Sequence, residues 1–599
     1  MILSALNDYY DRLADAGRLP VPGYSSEKVS FGLVFSADGE PVQIVDLRDM
    51  SVGKPRPRSF QVPVDKRRTS GIHAYPLWDK TAYALGITAG EGKRLAEEHA
   101  AFRARQLALF AEADDPELIA FLRLLERWRP ECVADIPGYT AELLDANVVF
   151  RADGKQQYLH QNPEARRLWS AALERDESDL GQCLITGKFA PLGTDHPAIK
   201  GVRGAQSSGA SLVSFNSDAY ESYGHSKNRN AAISKAAIFG YSAALNYLLR
   251  GEADNRQRLQ IGDTTVVFWA EARDGAKAEA AEEFFALLNQ PPNDEQEAAK
   301  LGELLSQIAQ GRPLPELNPI LEPNTRFFVL GLAPNAARLS VRFWYVDSLE
   351  RLALHYAQHH QDMTLQPTPW KGMAPGAWRL SLETAPVHGD RPKADDVLPQ
   401  LAGELMRAIL TGSRYPRSLL NNIVMRFRSD GQLRGLRIAL CKAVLAREAR
   451  FRESTTITTE EVPVSLDRES KHPGYLLGRL FAELEGAQLG ALGKNVNATI
   501  RDRYYGAASA TPASVFPMLL RNVQHHLSNM RKKDKGGLAH TIESEIASII
   551  DGLGEKFPKN LRLEDQGRFA IGYYHQSQAR LAKKKRDNED ETDQQGEAL

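Results

Sequence analysis

The sequence predicts an α+β protein, with a mixed N-terminal α/β body over residues 1–395 and a C-terminal helical bundle over residues 396–599. Three observations carry that expectation. Apolar, strand-like runs such as VSFGLVF, TTVVFWAE and RFFVLGLAP all fall before residue 345. After Pro399, long segments place apolar residues at helical spacing instead. And 599 residues exceed what one hydrophobic core organises, so two to four domains are expected.

The elements follow in order. Residues 1 to about 20 read as a short amphipathic helix. VSFGLVF and PVQIVDL then read as strands joined by SADGEP, whose Asp38-Gly39 step is a hairpin signal. Residues 54–71, rich in proline and cations, read as a loop. Helical stretches follow at about 91–111 and 116–128. A second β-containing section spans about 146–344, with helices near 231–250, 276–288 and 294–309, the last two separated by Pro291-Pro292. Beyond it, ELMRAILTG, LRIALCKAVLAREARF, YLLGRLFAELEGAQLGAL, PASVFPMLLRNVQHHLSNM and AHTIESEIASIIDGL form the bundle, with breaks at 472–474, 510–512, 535–537 and 557–559. Leu477, Phe481, Leu484 and Gln488 share one helical face. The charged segment 587–599 is expected to be disordered.

Composition narrows the function. The apolar share of 42% and charged share of 25% are those of a soluble globular protein, and no apolar run is long enough to cross a membrane, so a cytoplasmic location is expected. Cys132, Cys183 and Cys441 lie far apart without a CxxC pair, which argues against a disulfide framework or a cysteine zinc site. His355 and His359 stand at i, i+4 spacing with no accompanying acid or cysteine motif, so a solvated helix face is the expected reading. HExxH, HD and GxSxG are all missing. Asp263 and Glu271 flank an apolar strand that separates them by roughly 26 Å, too far to share a metal. No catalytic residue, metal or cofactor is therefore expected. The formal net charge is −1, but cations are segregated at 54–58, 65–71, 426–452, 531–535 and 583–586, as in a protein that meets nucleic acid along limited faces.

The stretch GVRGAQSSGASLVSFNSDAYESY at 201–223 is the most informative. Three glycines permit close backbone approach, and short hydroxyl and amide side chains stand beside Lys200 and Arg203. A phosphate-binding loop would read GxxxxGK[ST]. Here Ala210 and Ser211 follow Gly209, so the lysine is missing and nucleotide hydrolysis is not expected.

This stretch and its flanks resemble a known family. CLITG at 183–187, HPAIKGVRGAQSSGASLVSFN at 196–216 and AYESYG at 219–224 match it, as do GDTTVVFWAE at 262–271, GLAPNAARLSVRFW at 331–344 and GYYHQ at 572–576. The opening MILSALNDYYDRL and the TSGI and LWDKTAYALG blocks within 69–86 also fit. Together they resemble the large subunit of the type I-C CRISPR surveillance complex (Cascade), over nearly the whole chain. The resemblance implies a non-catalytic subunit that recognises the protospacer-adjacent motif in duplex DNA, promotes unwinding and R-loop formation, and helps recruit a separate helicase-nuclease. It implies as partners the guide RNA, the backbone subunits that bear it, small subunits, target duplex and the displaced strand. It also implies that a small subunit is encoded internally by the part from about 476 onward.

Two sets of residues are candidates for the DNA contact. In one, Lys66 and Arg67 with Arg68, Thr69 and Ser70 meet the motif-bearing duplex, cations on phosphates and hydroxyls at groove edges. Many relatives carry KPNFLWDN where this chain has Tyr75 and Lys80 in place of the asparagines, and Trp78 and Tyr83 read as core. In the other, Lys200 and Arg203 anchor phosphates while Gln206, Ser207, Ser208 and Asn216 meet bases, the glutamine as a wedge at the first unpaired step. A tight structural loop, its serines bonding backbone, is the competing reading. For the displaced strand, Arg426, Arg428, Arg434 and Arg437, with Arg531, Lys532 and Lys533, are the candidate path, with Tyr504 and Tyr505 as stacking partners. Asn335, Arg338 and Arg342 read either as a nucleic-acid contact or as a buried polar network. Two other classes of function stay open at this point, a metal-dependent nuclease built from scattered acids and a purely structural ribonucleoprotein scaffold.

Overall fold

The computed structural model describes the chain except residues 51–54, 66–67, 69–70, 175–178, 273, 389–390, 454–461, 494–495 and 597–599. It is α+β and divides into two compact units, Met1–Ile199 with Ser211–Tyr247, and Lys200–Ala210 with Leu248–Leu599.

In the first unit, strands β1 (Tyr24–Val29), β2 (Phe31–Phe35), β3 (Pro41–Asp46), β4 (Arg58–Pro63), β5 (Trp78–Lys80) and β6 (Asn147–Ala152) build two sheets. Four strands run in the order β3-β2-β6-β5, with β2 and β6 parallel and the other pairs antiparallel. The β2–β3 connection is the hairpin that Asp38-Gly39 predicts, with Gly39 at φ +84°. Helices Leu95–Leu109 and Pro116–Arg127 cover the sheet, packing Phe102 and Phe121 against Phe150. Asp115 caps the second of these, accepting from the backbone N–H groups of Glu117 and Leu118 ahead of Pro116 at the first helical position. The opening helix, Ile2–Asp15, buries Leu6, Tyr9, Tyr10 and Leu13. Two short strands, β7 (Leu180–Gln182) and β8 (Phe189–Pro191), pair antiparallel.

The loop expected over 54–71 contains a strand. β4 pairs with β1, Phe60 opposite Glu27 and Val62 opposite Ser25. Phe60 and Val62 alternate with Ser59 and Gln61, and Val62 is fully buried with Val29 and Val149. The prolines and arginines around that short alternation hide it in the sequence.

The second unit holds an antiparallel meander, β9 (Arg258–Ile261), β10 (Thr264–Glu271), β11 (Arg326–Asn335) and β12 (Arg338–Ser348). Helix Gly275–Asn289 lies on it, with Phe285 within 4.6 Å of Phe268 and 4.7 Å of Phe327, ring centre to ring centre. One core runs from Leu259 on β9 to Tyr574 in the last helix, so the compact units do not divide at 395/396. Asp263 stands in the turn between β9 and β10 and Glu271 ends β10, paired with Arg342 (3.0 Å) and Arg326 (3.1 Å). Arg342 is about half exposed, which places it at the surface and not in a buried network.

After Pro399 the predicted segments fold as Pro399–Thr411, Gly435–Glu453, Pro473–Leu492, Pro512–Lys532 and Gly536–Leu553. Three further helices, Arg417–Asp430, Ile500–Ala510 and Leu563–Gly596, join them. The last one carries the backbone helical to Gly596. His355 and His359 do not lie on a solvated face. His359 is buried, with Nδ1 2.6 Å from the Tyr415 hydroxyl, and His355 Nδ1 is 2.7 Å from the Leu410 carbonyl. Burial lowers the pKa of both, that of His359 well below its ordinary value.

Helices Pro473–Leu492 and Leu563–Gly596 touch backbone to backbone. A Cβ at Gly478 would sit 2.0 Å from the Phe569 carbonyl oxygen, and one at Gly572 only 2.2 Å from that of Tyr475. Any side chain at either place forces the pair apart.

Candidate nucleic-acid interface

Each candidate residue takes its place from its immediate partners. In the first unit, Lys66, Arg67, Thr69 and Ser70 lie outside the described residues, whereas Arg68 is held inward. Its guanidinium bonds Asp79 Oδ2 at 2.6 Å and the His73 carbonyl at 2.7 Å, and lies 3.8 Å from the Tyr83 ring centre. Asp79 is 1% exposed and also accepts from the backbone N–H of Tyr75 (2.8 Å) and Lys80 (2.7 Å). Burial pushes the Asp79 carboxyl up, and Arg68 opposes that push. Removing one partner of such a buried pair costs about 3–5 kcal/mol. Arg68 is thus an anchor of the fold, not a contact displayed to solvent. Three residues upstream, Asp65 is gripped by Arg105 (2.9 Å) and His73 (2.8 Å). Trp78 and Tyr83 are core, as expected, and Trp78 stacks on Tyr75 at 4.9 Å.

The second candidate is organised the other way round. Lys200–Ala210 belongs to the second unit while its sequence neighbours belong to the first. Its backbone is tied to the meander. The N–H of Arg203 donates to Thr265 Oγ1 on β10 (3.1 Å), and Arg258 on β9 donates to the Gly201 carbonyl (2.7 Å). Two successive turns follow, closed by Ala205 N–H to Val202 O (3.2 Å) and Gly209 N–H to Gln206 O (2.9 Å). Gly201, Gly204 and Gly209 all have positive φ, between +80° and +100°. At Gly201 the requirement is double, because a Cβ would also lie 2.5 Å from the Leu249 carbonyl oxygen. Val202 and Ala210 are buried and pin the ends, whereas Arg203, Gln206, Ser207 and Ser208 are exposed. Lys200 is also exposed, as is Asn216 in the first unit. A turn of amide and hydroxyl side chains is therefore displayed on a fixed backbone, with the cations Lys200 and Arg203 beside it. Arg258 and Thr265, which hold the turn, carry no local sequence signal because they act from strands more than fifty residues away.

The cations of the helical part divide. Arg437 is fully buried, donating to the carbonyls of Glu383 and Ala385 (both 3.0 Å) and to Asp430 Oδ2 (3.1 Å), and is removed from any surface path. Arg426 is mostly buried against Asp430. Arg434 Nε donates to Gln432 Oε1 (2.9 Å). Arg531 pairs with Glu543, and Lys533 Nζ donates to the Ala491 carbonyl (2.8 Å) at the end of helix Pro473–Leu492, where a cation meets the negative end of the helix dipole. Arg428 and Lys532 are exposed. Tyr505 is 3% exposed and packs on Phe569, which excludes it as a stacking surface. Helical periodicity alone does not separate the cations facing solvent from those bonding carbonyls of neighbouring segments.

Among the described residues, no group of three or more His, Cys, Asp or Glu is placed to hold a metal ion, and no helix is long and apolar enough to cross a membrane. No curated protein matches the chain. A family model described as CRISPR-associated protein (Cas_Csd1) matches residues 6–581, nearly the whole length. The chain therefore belongs to the CRISPR-associated Cas_Csd1 family, the large-subunit family of the type I-C surveillance complex.

Proposed function

We propose that the chain is the non-catalytic, motif-sensing large subunit of an RNA-guided DNA surveillance complex in the cytoplasm, and that its reading head is the turn at Gln206, Ser207 and Ser208. The observation that carries this reading is the contrast within that loop, whose backbone is bonded to β9 and β10 while its amide and hydroxyls are exposed. Side chains of this type bond base edges, and the cations Lys200 and Arg203 beside them suit phosphates, which position a duplex without reading it. Motif engagement then starts unwinding and R-loop formation, with the helicase-nuclease recruited afterwards. Arg428 and Lys532 remain the exposed candidates for the displaced strand. Lys66, Arg67, Thr69, Ser70 and Asn216 are the candidates for auxiliary duplex contacts. The part from about 476 onward is the candidate for a separately made small subunit.

The test is binding of the assembled, guide-loaded complex to a duplex library randomised beside the protospacer, at fixed salt. Wild type selects a short motif and Gln206→Ala loses that selection. Uniform weakening across the library would make the loop a phosphate anchor only. Wild type without motif preference would favour a structural scaffold, and divalent-metal-dependent cleavage by the purified chain would favour a nuclease.

A further inference from the structure

A groove of about 650 Å³ opens in the second unit where helix Gly275–Asn289 ends, beside the Pro291-Pro292 turn and the segment 370–379. Its volume is that of a small-ligand site. Trp370 and Trp378 line it, each half-buried with part of its ring packed on the core. The carboxamides of Gln290 and Asn293 line it too, with the cations of Lys371 and Arg379, and none of the lining residues is a carboxylate. Each cation has an acid outside the groove, Lys371 with Glu295 (2.5 Å) and Arg379 with Glu383 (2.8 Å). Lys371 is 77% exposed, and a solvated pair of this kind contributes about 0–1 kcal/mol, so an incoming phosphate displaces it at little cost.

The walls are fixed before any ligand arrives. A Cβ at Gly376 would lie 2.0 Å from the Asn289 carbonyl oxygen, and one at Gly372 would lie 2.6 Å from Ala298 Cβ. The segment bearing both tryptophans is thus pressed directly onto helices Gly275–Asn289 and Glu295–Ala309. Asn289 is locked in turn, accepting from the Tyr356 hydroxyl (2.7 Å) and donating to the Phe285 carbonyl (2.9 Å). Little conformational freedom is left to lose on binding.

We propose that this groove seats unpaired nucleotides of a single strand, with nucleobases stacked on Trp370 and Trp378, carboxamides on their edges and backbone phosphate at Lys371 and Arg379. Planar indoles beside amides and cations are the elements of sequence-tolerant single-strand binding. Aromatic grooves also dock proline-rich peptides. The two cations and absent carboxylates of this lining favour the polyanion. The proposal rests on the nucleic-acid reading above, but on different residues.

The test uses the full chain and a twelve-nucleotide thymidine oligonucleotide carrying one 2-aminopurine, whose fluorescence is quenched on stacking. Wild type binds with quenching. Trp370→Ala and Trp378→Ala weaken binding roughly tenfold and reduce the quench, and Trp378→Phe restores most of both. Lys371→Gln, at an exposed position that does not threaten the fold, lowers the dependence of affinity on salt by roughly one ion. Affinities within twofold of wild type in all four variants overturn the proposal, as does binding of a proline-rich peptide but not of the oligonucleotide. Motif selection by the assembled complex is measured on the same variants. If the oligonucleotide result fails while motif selection stands, only the groove assignment falls. If wild type shows no motif selection yet binds the oligonucleotide through the tryptophans, the function reading falls and the groove remains.

Discussion

The segments 65–75 and 200–210 look alike in sequence, both mixing cations with glycine and hydroxyls, yet they are built in opposite ways. In the first, the described charged side chains are held by side-chain partners. Arg68 serves Asp79 and two tyrosine rings, and Asp65 serves Arg105 and His73. In the second, the backbone is bound, by Arg258 and Thr265, and the side chains are exposed. A cation enclosed by a carboxylate and aromatic faces contributes to stability, whereas a turn held through its main chain leaves the Arg203 side chain exposed. Basic runs in a sequence therefore do not mark an interface until the partner of each cation is known.

The difference can be broken at several points, beginning with the largest expected effect. Arg68→Ala leaves Asp79 buried without its cation and lowers the unfolding free energy by about 3–5 kcal/mol, read by denaturant unfolding. A loss under about 1 kcal/mol would remove the distinction between the two segments. Acidification comes next. Burial holds His196 neutral, down to about 4, with Nδ1 2.5 Å from the Tyr241 hydroxyl. Its folded pKa lies below the unfolded value near 6.5, so the unfolded chain takes up the proton first and stability falls as pH drops from 6.5 toward 4. Between pH 7 and pH 5 this one group costs about 2 kcal/mol, and His196→Gln flattens that part of the melting-temperature profile. Gly201→Ala is expected to cost about 1–2 kcal/mol for backbone conformation alone, with the nearby Leu249 carbonyl adding to it, and to disturb the turn. Thermal unfolding together with motif binding reports both. The smallest effect sharpens the contrast most. Gln206→Ala changes stability by less than about 0.5 kcal/mol while abolishing motif selection, the reverse of Arg68→Ala.

Where one face repeats without interruption, the fold was legible. TTVVFWAE and RFFVLGLAP are buried nearly throughout and appear as β10 and β11, and the five apolar helical segments after Pro399 appear within a few residues of their expected bounds. Arg58–Pro63 was not legible, because only Phe60 and Val62 mark its buried face among prolines and cations. Nor was the inward turn of His359 or Arg437. Both are polar at spacings that suit a solvated helix, and both are buried because distant segments offer Tyr415, Glu383 and Ala385 as partners. At the candidate interface, the glycines foretold a tight turn at 201–209, but its clamps at Arg258 and Thr265 come from strands that sequence proximity does not reveal. The recurrent motif blocks foretold the family. They did not separate displayed residues from supporting ones.

The glycine contacts between helices Pro473–Leu492 and Leu563–Gly596 set an order of events during synthesis. Tyr475 and Gly572 meet across almost a hundred residues of chain. At roughly 5–20 residues per second, the first helix leaves the ribosome some 5–20 seconds before the backbone it fits against. Throughout that interval Leu477, Leu480 and Phe481, fully buried in the finished protein, lack the surface made by Phe569 and Ile571. Helix Leu563–Gly596 is thus the one that closes this core, and a chain halted before it would present a greasy, unmatched helix to chaperones and proteases.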